Sequence, residues 1–214
     1  MRNYFTFSCR GGGSTNEDAY LVKEHPQDSS MLIVALADGQ GGRPGGKAGA
    51  ETACQAAVET AISYSVRQLT RPKTWSKIVE ISDKAVYERP EAGLTTLVAL
   101  CVTDRIVCGA SNGDSAAILL NVRDQYHELT SSQFKNPPVG SGQAQAAPFR
   151  EQLVDPWLIL LMSDGLWKYA GWSSISSIIK TRQGTELMNA LQNEIRLNIG
   201  PFRDDTTAVL VQSE

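Results

Sequence analysis

Histidine is scarce in this chain: of 214 residues only His25 and His127 are histidine, and neither lies near a recognisable motif. A mechanism built on a histidine base is therefore poorly supported. The four cysteines, Cys9, Cys54, Cys101 and Cys108, show no CxxC spacing, which argues against a zinc knuckle or a thioredoxin-like pair. No basic run occurs and the net charge is -3, so a nucleic-acid partner held by electrostatics is not expected. No apolar stretch approaches the roughly 20 residues of a membrane span. Met1 to Arg10 has no apolar core of signal-peptide length either. The expectation is a cytoplasmic protein without a membrane partner, whose cysteines remain thiols.

The remainder is ordinary for a soluble domain, at 42% hydrophobic and 20% charged residues, and the length suits one domain with a substantial core, residues 1–214. Two apolar runs end alike. Leu32-Ile33-Val34-Ala35-Leu36-Ala37 leads into Asp38-Gly39, and Leu158-Ile159-Leu160-Leu161-Met162-Ser163 leads into Asp164-Gly165. Each reads as a buried strand delivering a carboxylate to its C-terminal edge. Arg203-Asp204-Asp205 precedes a further apolar strand, Thr207 to Val211, and Asn16-Glu17-Asp18 sits in a turn after Tyr4 to Phe7. Taken singly, each is ordinary turn chemistry, because Asp and Gly dominate turns for local reasons. Taken together they describe an acidic, oxygen-rich site suited to hard divalent cations. Two carboxylates about 4 Å apart repel by roughly 4 kcal/mol at an effective dielectric near 20. A cluster of several therefore calls for metal ions or protons.

Between these runs, Ala50, Ala53, Cys54, Ala57 and Ala61 share one face of a helix from Gly46 to about Ser65, a face small enough to lie close on a sheet. A second helix starts after Pro72 with Thr74 as its cap, shows Trp75, Ile78, Val79 and Val86 on one side, and stops at Pro90. A long hairpin follows: Thr95 to Thr103, a turn at Asp104-Arg105 that sets Cys101 opposite Cys108, and Ile106 to Asn121. Ser131 to Pro148 lacks periodicity and reads as a mobile loop. Ser173 to Thr181 and Thr185 to Leu197 read as paired helices, the second ended by Gly200-Pro201. Strands, helix pair, strands, helix pair and strand suit antiparallel sheets with helices packed outside, an α+β arrangement.

The glycine-rich turn after Asp38 admits other readings. Gly41 to Lys47 fits the G-x-x-x-x-G-K of a phosphate-binding P-loop, but Ala48 replaces the hydroxyl that would bind magnesium and Pro44 removes a backbone N–H from the cradle. The glycines can also serve only a tight strand-to-helix turn.

A third reading uses every piece in order: Asn16-Glu17-Asp18-Ala19, Ala37-Asp38-Gly39-Gln40-Gly41-Gly42, Gly93-Leu94-Thr95-Thr96-Leu97, Asn112-Gly113-Asp114-Ser115, Ser163-Asp164-Gly165-Leu166-Trp167 and Asp204-Asp205-Thr206-Thr207. This series resembles the metal-dependent Ser/Thr protein phosphatases of the PP2C type, especially their bacterial members, over nearly the whole chain. The resemblance implies a four-layer αββα sandwich, two antiparallel sheets flanked by helix pairs, with two manganese or magnesium ions at one end. It implies that Asp38 bridges both ions, that Asp164 and Asp204 complete one, and that the Gly39 carbonyl serves the other. Glu17 and Asp18 would position metal-bound waters, and Asp114 with Asp164 would support a third, weaker ion. The implied reaction is attack of a metal-bridging water on phosphoserine or phosphothreonine of a protein substrate, with a cognate Ser/Thr kinase as a further partner. A phosphoprotein-sensing module of the same fold is the alternative.

The chain also departs from the family pattern. Gly13 stands where many relatives carry a phosphate-gripping arginine, Gln40 where animal members carry a histidine, and Ala116 where an arginine usually follows Gly-Asp-Ser. The Asp-His-Ser triplet expected after Leu129-Thr130 is absent, and Leu129 to Leu153 is too short to hold most of the usual flap. Arg10 and Arg43 are the candidate phosphate anchors in place of the missing arginine, because a guanidinium grips phosphate in a bidentate manner.

Overall fold

The structure, a computed structural model, describes residues 2–121, 125–199 and 202–213. Its strands are β1 (Arg2–Cys9), β2 (Asp18–His25), β3 (Asp28–Asp38), β4 (Leu97–Val102), β5 (Ile106–Asn112), β6 (Ala116–Asn121), β7 (Gln125–Glu128), β8 (Ala147–Gln152), β9 (Leu158–Met162) and β10 (Thr206–Ser213). They form two five-stranded sheets, ordered β1-β10-β9-β6-β7 and β2-β3-β4-β5-β8, and every pairing is antiparallel. The helices are α1 (Gly46–Ser63), α2 (Val66–Leu69), α3 (Pro72–Tyr87), α4 (Asp164–Ala170), α5 (Trp172–Thr181) and α6 (Gly184–Ile199).

β3 explains the layering. Met31, Ile33, Ala35 and Ala37 pack with Ala50, Ala53, Ala57 and Ala61 of α1 and with Trp75 and Ile78 of α3. The intervening Leu32, Val34 and Leu36 meet Leu119, Ile159, Leu161 and Val209 of the other sheet. A third core joins Ile118, Leu160, Met162 and Leu210 to Leu166, Ile175, Leu187 and Leu191 of α4, α5 and α6. The order is therefore helices, sheet, sheet, helices, the expected αββα sandwich. Strands buried on both faces read as unbroken apolar runs rather than alternating ones.

Several local expectations need correction. α3 takes Arg71 as its N-cap with Pro72 in the first turn, where the missing proline N–H costs nothing and its φ is already helical. Thr74 instead donates its hydroxyl to the Gln68 carbonyl at 2.7 Å. The hairpin turn at Asp104-Arg105 is present, with Cys101 paired to Cys108. Its second arm, however, is two strands: β5 stays in one sheet, and beyond Gly113, at φ 116, β6 joins the other. The polar Asn112-Gly113-Asp114-Ser115 between the two apolar runs marks the break, but does not by itself say that the second run joins the other sheet. Asp164-Gly165 opens α4 directly rather than closing a turn. The two later helices run from Trp172 and to Ile199, one residue earlier and two later than read, while Gly200-Pro201 lies outside the described residues.

The segment 131–148 is not a free loop. The buried Asp83 of α3 accepts the backbone N–H groups of Gly140 (2.7 Å) and Gly142 (3.1 Å) on one oxygen and of Ala144 (3.0 Å) on the other. Val139 exchanges backbone bonds with Thr95 at 3.0 and 3.1 Å, and the Asn112 amide donates to the Pro137 and Gln145 carbonyls, both at 3.1 Å. A loop without periodicity is thus held by long-range side-chain and backbone hydrogen bonds that no local pattern reveals. Its last residues, from Ala147, begin β8.

Candidate metal centre

Strand register sets the first pair of carboxylates: Asp18 opens β2 directly opposite Asp38 at the end of β3. Like charges in that relation destabilise a sheet, so neighbouring groups hold them. The Asp38 N–H donates to the Thr96 hydroxyl at 2.9 Å, the Thr95 hydroxyl donates to the Asp38 carbonyl at 2.9 Å, and Thr96 and Ser115 share a 2.7 Å hydroxyl contact. A Cβ on Gly113 would lie 2.6 Å from the Thr96 side chain. The Gly-Leu-Thr-Thr and Asn-Gly-Asp-Ser motifs are accordingly one interlock that fixes Asp38 and aims Asp114.

On the other sheet, β9 ends at Met162 and β10 begins at Thr206, bringing Asp164 and Asp204 to the same end of the sandwich. Gly165 is required there because a side chain would run into the Asp205 carbonyl. Ser163 joins the two halves: its hydroxyl donates to Asp18 Oδ2 at 2.8 Å and accepts the Thr207 N–H at 2.9 Å. Asp205 joins the β1–β2 turn to β10, accepting the Gly11 N–H at 2.7 Å and the Glu17 N–H at 2.6 Å. The Glu17 carbonyl in turn accepts the Gly39 N–H at 3.1 Å. The Glu17 carboxylate stands at the start of α1, 2.8 Å from where a Gly46 Cβ would be, so the helix dipole favours its charge. The strand before this helix has antiparallel neighbours, unlike the parallel βαβ unit of a P-loop, and the helix N-terminus faces a carboxylate of the protein itself.

Glu17, Asp38, Gly39, Asp114, Asp164 and Asp204 line one cleft of about 600 Å3, together with Arg43, Lys135 and Lys168. Asp18 is buried, at 8% exposure. Burial pushes the Asp38 carboxyl far above the ordinary carboxylate range, with Asp18, Asp164, Asp114 and Asp204 adding to the shift. Burial also raises Asp18, against the Ser163 and Thr207 hydrogen bonds that favour its charge. Asp164 is raised by burial despite Lys168. Such groups want protons or cations.

The residues fit hard divalent cations on three counts. The donors are all oxygen, Asp18 Oδ1 is buried without a hydrogen-bond partner, and burial together with nearby carboxylates raises Asp18, Asp38 and Asp164. Among the described residues, no three His, Cys, Asp or Glu side chains already enclose a single metal position. Two of the carboxylates are instead held by lysines: Lys168 on Asp164, and Lys135 on Asp114 at 2.8 Å.

The two arginine candidates separate. Arg43 lines the cleft, whereas Arg10 is absent from the lining and donates to the Ser14 carbonyl in its own loop at 3.1 Å. Gln40 also lines the cleft, and Ala116 is buried in the core under α4–α6. Sequence reasoning passed over Asp205, Lys168 and Lys135. The Asp-Asp doublet was visible and both members line the cleft, but only the hydrogen bonds show that Asp205 also clamps the β1–β2 turn. Lys168 follows Asp164 by four residues, an ion-pair spacing legible only once α4 is known to start at Asp164.

Fold and cleft together define an αββα sandwich with a carboxylate centre for divalent cations at one end. The sequence profile described as Protein phosphatase 2C matches residues 7–197, and the chain belongs to that family of phosphatases. No curated protein sequence matches it. Among solved structures, a bacterial serine phosphatase superposes with a TM-score of 0.82 at 22% identity, covering 100% of this chain and 99% of that one. The Mycobacterium tuberculosis serine/threonine phosphatase PstP/Ppp gives 0.82 at 18% identity, covering 100% and 99%. The catalytic domain of the serine/threonine protein phosphatase PstP in complex with 2 manganese ions gives 0.80 at 18% identity, covering 99% and 97%. At these identities the likeness establishes the fold.

Proposed function

We propose that this chain hydrolyses phosphoserine and phosphothreonine side chains of protein substrates with two manganese or magnesium ions. The observation that carries the reading is the convergence of Asp38, Asp114, Asp164 and Asp204 in an open cleft, where burial and then the neighbouring carboxylates raise the Asp38 pKa. Asp38, Asp164, Asp204 and the Gly39 carbonyl are the proposed holders of the two ions. Asp114 with Asp164 is the proposed place of a third, weaker one. Bound ions would supply a lower pKa for water and neutralise charge on the phosphoryl group.

The protein's own groups then position and exclude. Asp18, fixed through Ser163, and Glu17, fixed through Asp205, present acceptors that orient water. The Thr95 and Thr96 hydroxyls are engaged with Asp38 and Ser115, so neither is poised as a nucleophile. Arg43 and the two lysines place positive charge around the cleft, which draws in a dianionic phosphate. The openness of the cleft suits a phosphate carried on a protein surface. Cytoplasmic location and a partner Ser/Thr kinase belong to the same reading. Among the described residues, no helix is long and apolar enough to cross a membrane.

The test is phosphate release from a small aryl phosphate and from phosphoserine and phosphothreonine peptides, with manganese and with chelator. Metal-dependent release from all three is expected. Full activity in chelator, or none with metal, would refute the reading.

A further inference from the structure

The cleft lacks the arginine that would grip phosphate at position 13, and Arg10 is spent on its own loop. Arg43 lines the cleft, but Lys168 is the cation paired with a carboxylate proposed for the two ions, which makes it the better-placed substitute. Lys168 projects from α4 onto Asp164, one turn back, and its charge is also felt by Asp114 and Asp204. Its ammonium lies over the Trp167 ring, 5.9 Å from the centroid, and its side chain is 42% exposed.

An exposed ion pair with four-residue spacing is a minor stabiliser, and breaking one shifts an equilibrium by only about twofold, but here the Asp164 partner is buried. Two observations give this pair a larger part. Asp164 is a carboxylate that the ions of the proposed reaction need, and it is the buried partner of the pair, with Lys168 lining the same cleft as Asp38 and Asp204. A divalent cation binding Asp164 therefore meets a resident competitor. The competitor, once released, is a mobile ammonium on a flexible four-carbon stem in the lining of the cleft.

We propose that Lys168 anchors the substrate phosphate in this phosphatase and rests on Asp164 until a divalent cation displaces it. The proposal builds on the metal-dependent phosphatase reading above. It separates two roles that a purely structural lysine would combine. If Lys168 only steadied Asp164, its loss would weaken metal binding. If it competes for Asp164, its loss strengthens metal binding while phosphate binding suffers.

The experiment compares the parent with Lys168→Met and Lys168→Arg. Manganese affinity is measured by calorimetry, and kinetics on a small aryl phosphate are run at saturating manganese, with inorganic phosphate as inhibitor. Lys168→Met is expected to bind manganese several-fold more tightly. Its KM and its inhibition constant for phosphate are expected to rise roughly 10- to 100-fold, the value of a hydrogen bond to a charged group, with little change in kcat. Lys168→Arg is expected to recover most of the KM. Unchanged or weaker manganese binding in Lys168→Met, or an unchanged KM, overturns the assignment while the parent's metal-dependent activity stands. A parent that neither binds manganese nor releases phosphate overturns the functional reading and this inference with it.

Discussion

Replacing Asp83 by alanine removes the acceptor that holds the segment 131–148 against α3. Three backbone N–H groups lose their partner: Gly140 and Gly142 on one oxygen and Ala144 on the other. A hydrogen bond to a charged group contributes about 1.5 to 3 kcal/mol. Gly140 and Ala144 are half-buried and Gly142 is exposed, so water recovers part of the loss, and a destabilisation of roughly 3 to 5 kcal/mol is expected. For a chain of this size about 2 to 4 °C accompanies each kcal/mol, which places the fall in Tm at roughly 6 to 20 °C. Asp83→Asn keeps one acceptor oxygen but turns an amide N–H₂ toward a donor, so it should fall between parent and alanine. Calorimetric melts at pH 7.5, with and without manganese, read all three proteins. Because the segment carries Lys135, Asn136 and Pro138 into the cleft lining, Asp83→Ala should also raise KM for a phosphopeptide. A loss of less than about 2 °C, under 1 kcal/mol on the same scale, would mean that the loop is free after all.

Asp38→Asn should abolish metal-dependent hydrolysis while the metal-free protein melts at least as high as the parent, since the substitution removes repulsion; retention of substantial activity would displace Asp38 from the centre. Burial raises Asp38 and Asp18 above the unfolded value near 4, so the folded state holds protons more tightly and this part of the stability falls as pH rises above that value toward the raised folded pKa. The metal-free protein should therefore have a higher Tm at pH 5.5 than at pH 8.5, and saturating manganese should shrink the difference; melts showing the opposite slope without metal would contradict the clustered carboxylates. Gly13→Arg should be tolerated, because a Cβ there meets only the Thr15 carbonyl, at 3.5 Å, and the backbone is not left-handed. Combined with Lys168→Met it should recover part of the lost KM, and steady-state kinetics showing no recovery would mean that position 13 faces away from the phosphate.

The layers of this fold were legible because β3, β9 and β10 are buried on both faces and the face of α1 is alanine. Their carboxylates were legible for the same reason: Asp38 and Asp164 interrupt apolar runs, and Asp204 immediately precedes one. What escaped reading depends on partners far along the chain. Asp83 was one polar residue in a helix until its three acceptor bonds to residues 140–144 were seen. Asp205 was the neighbour of a ligand candidate until its clamp on Gly11 and Glu17 appeared. The polar Asn112-Gly113-Asp114-Ser115 did interrupt the apolar run, but a polar turn leaves open whether the next strand pairs back or crosses to the other sheet, as β6 does.

β10 lies between β1 and β9, yet it is synthesised after both. A ribosome-bound chain therefore carries a sheet whose middle position is vacant, with the facing edges of β1 and β9 unpaired and open to wrong strands. Asp204 and Asp205 arrive with the same segment: one completes the acidic end, and the other ties the β1–β2 turn to it. Insertion of this strand and assembly of the reactive centre are thus a single event. Any nascent chain short of it has neither a closed sheet nor the full set of carboxylates, so the catalytic end matures only when the fold does.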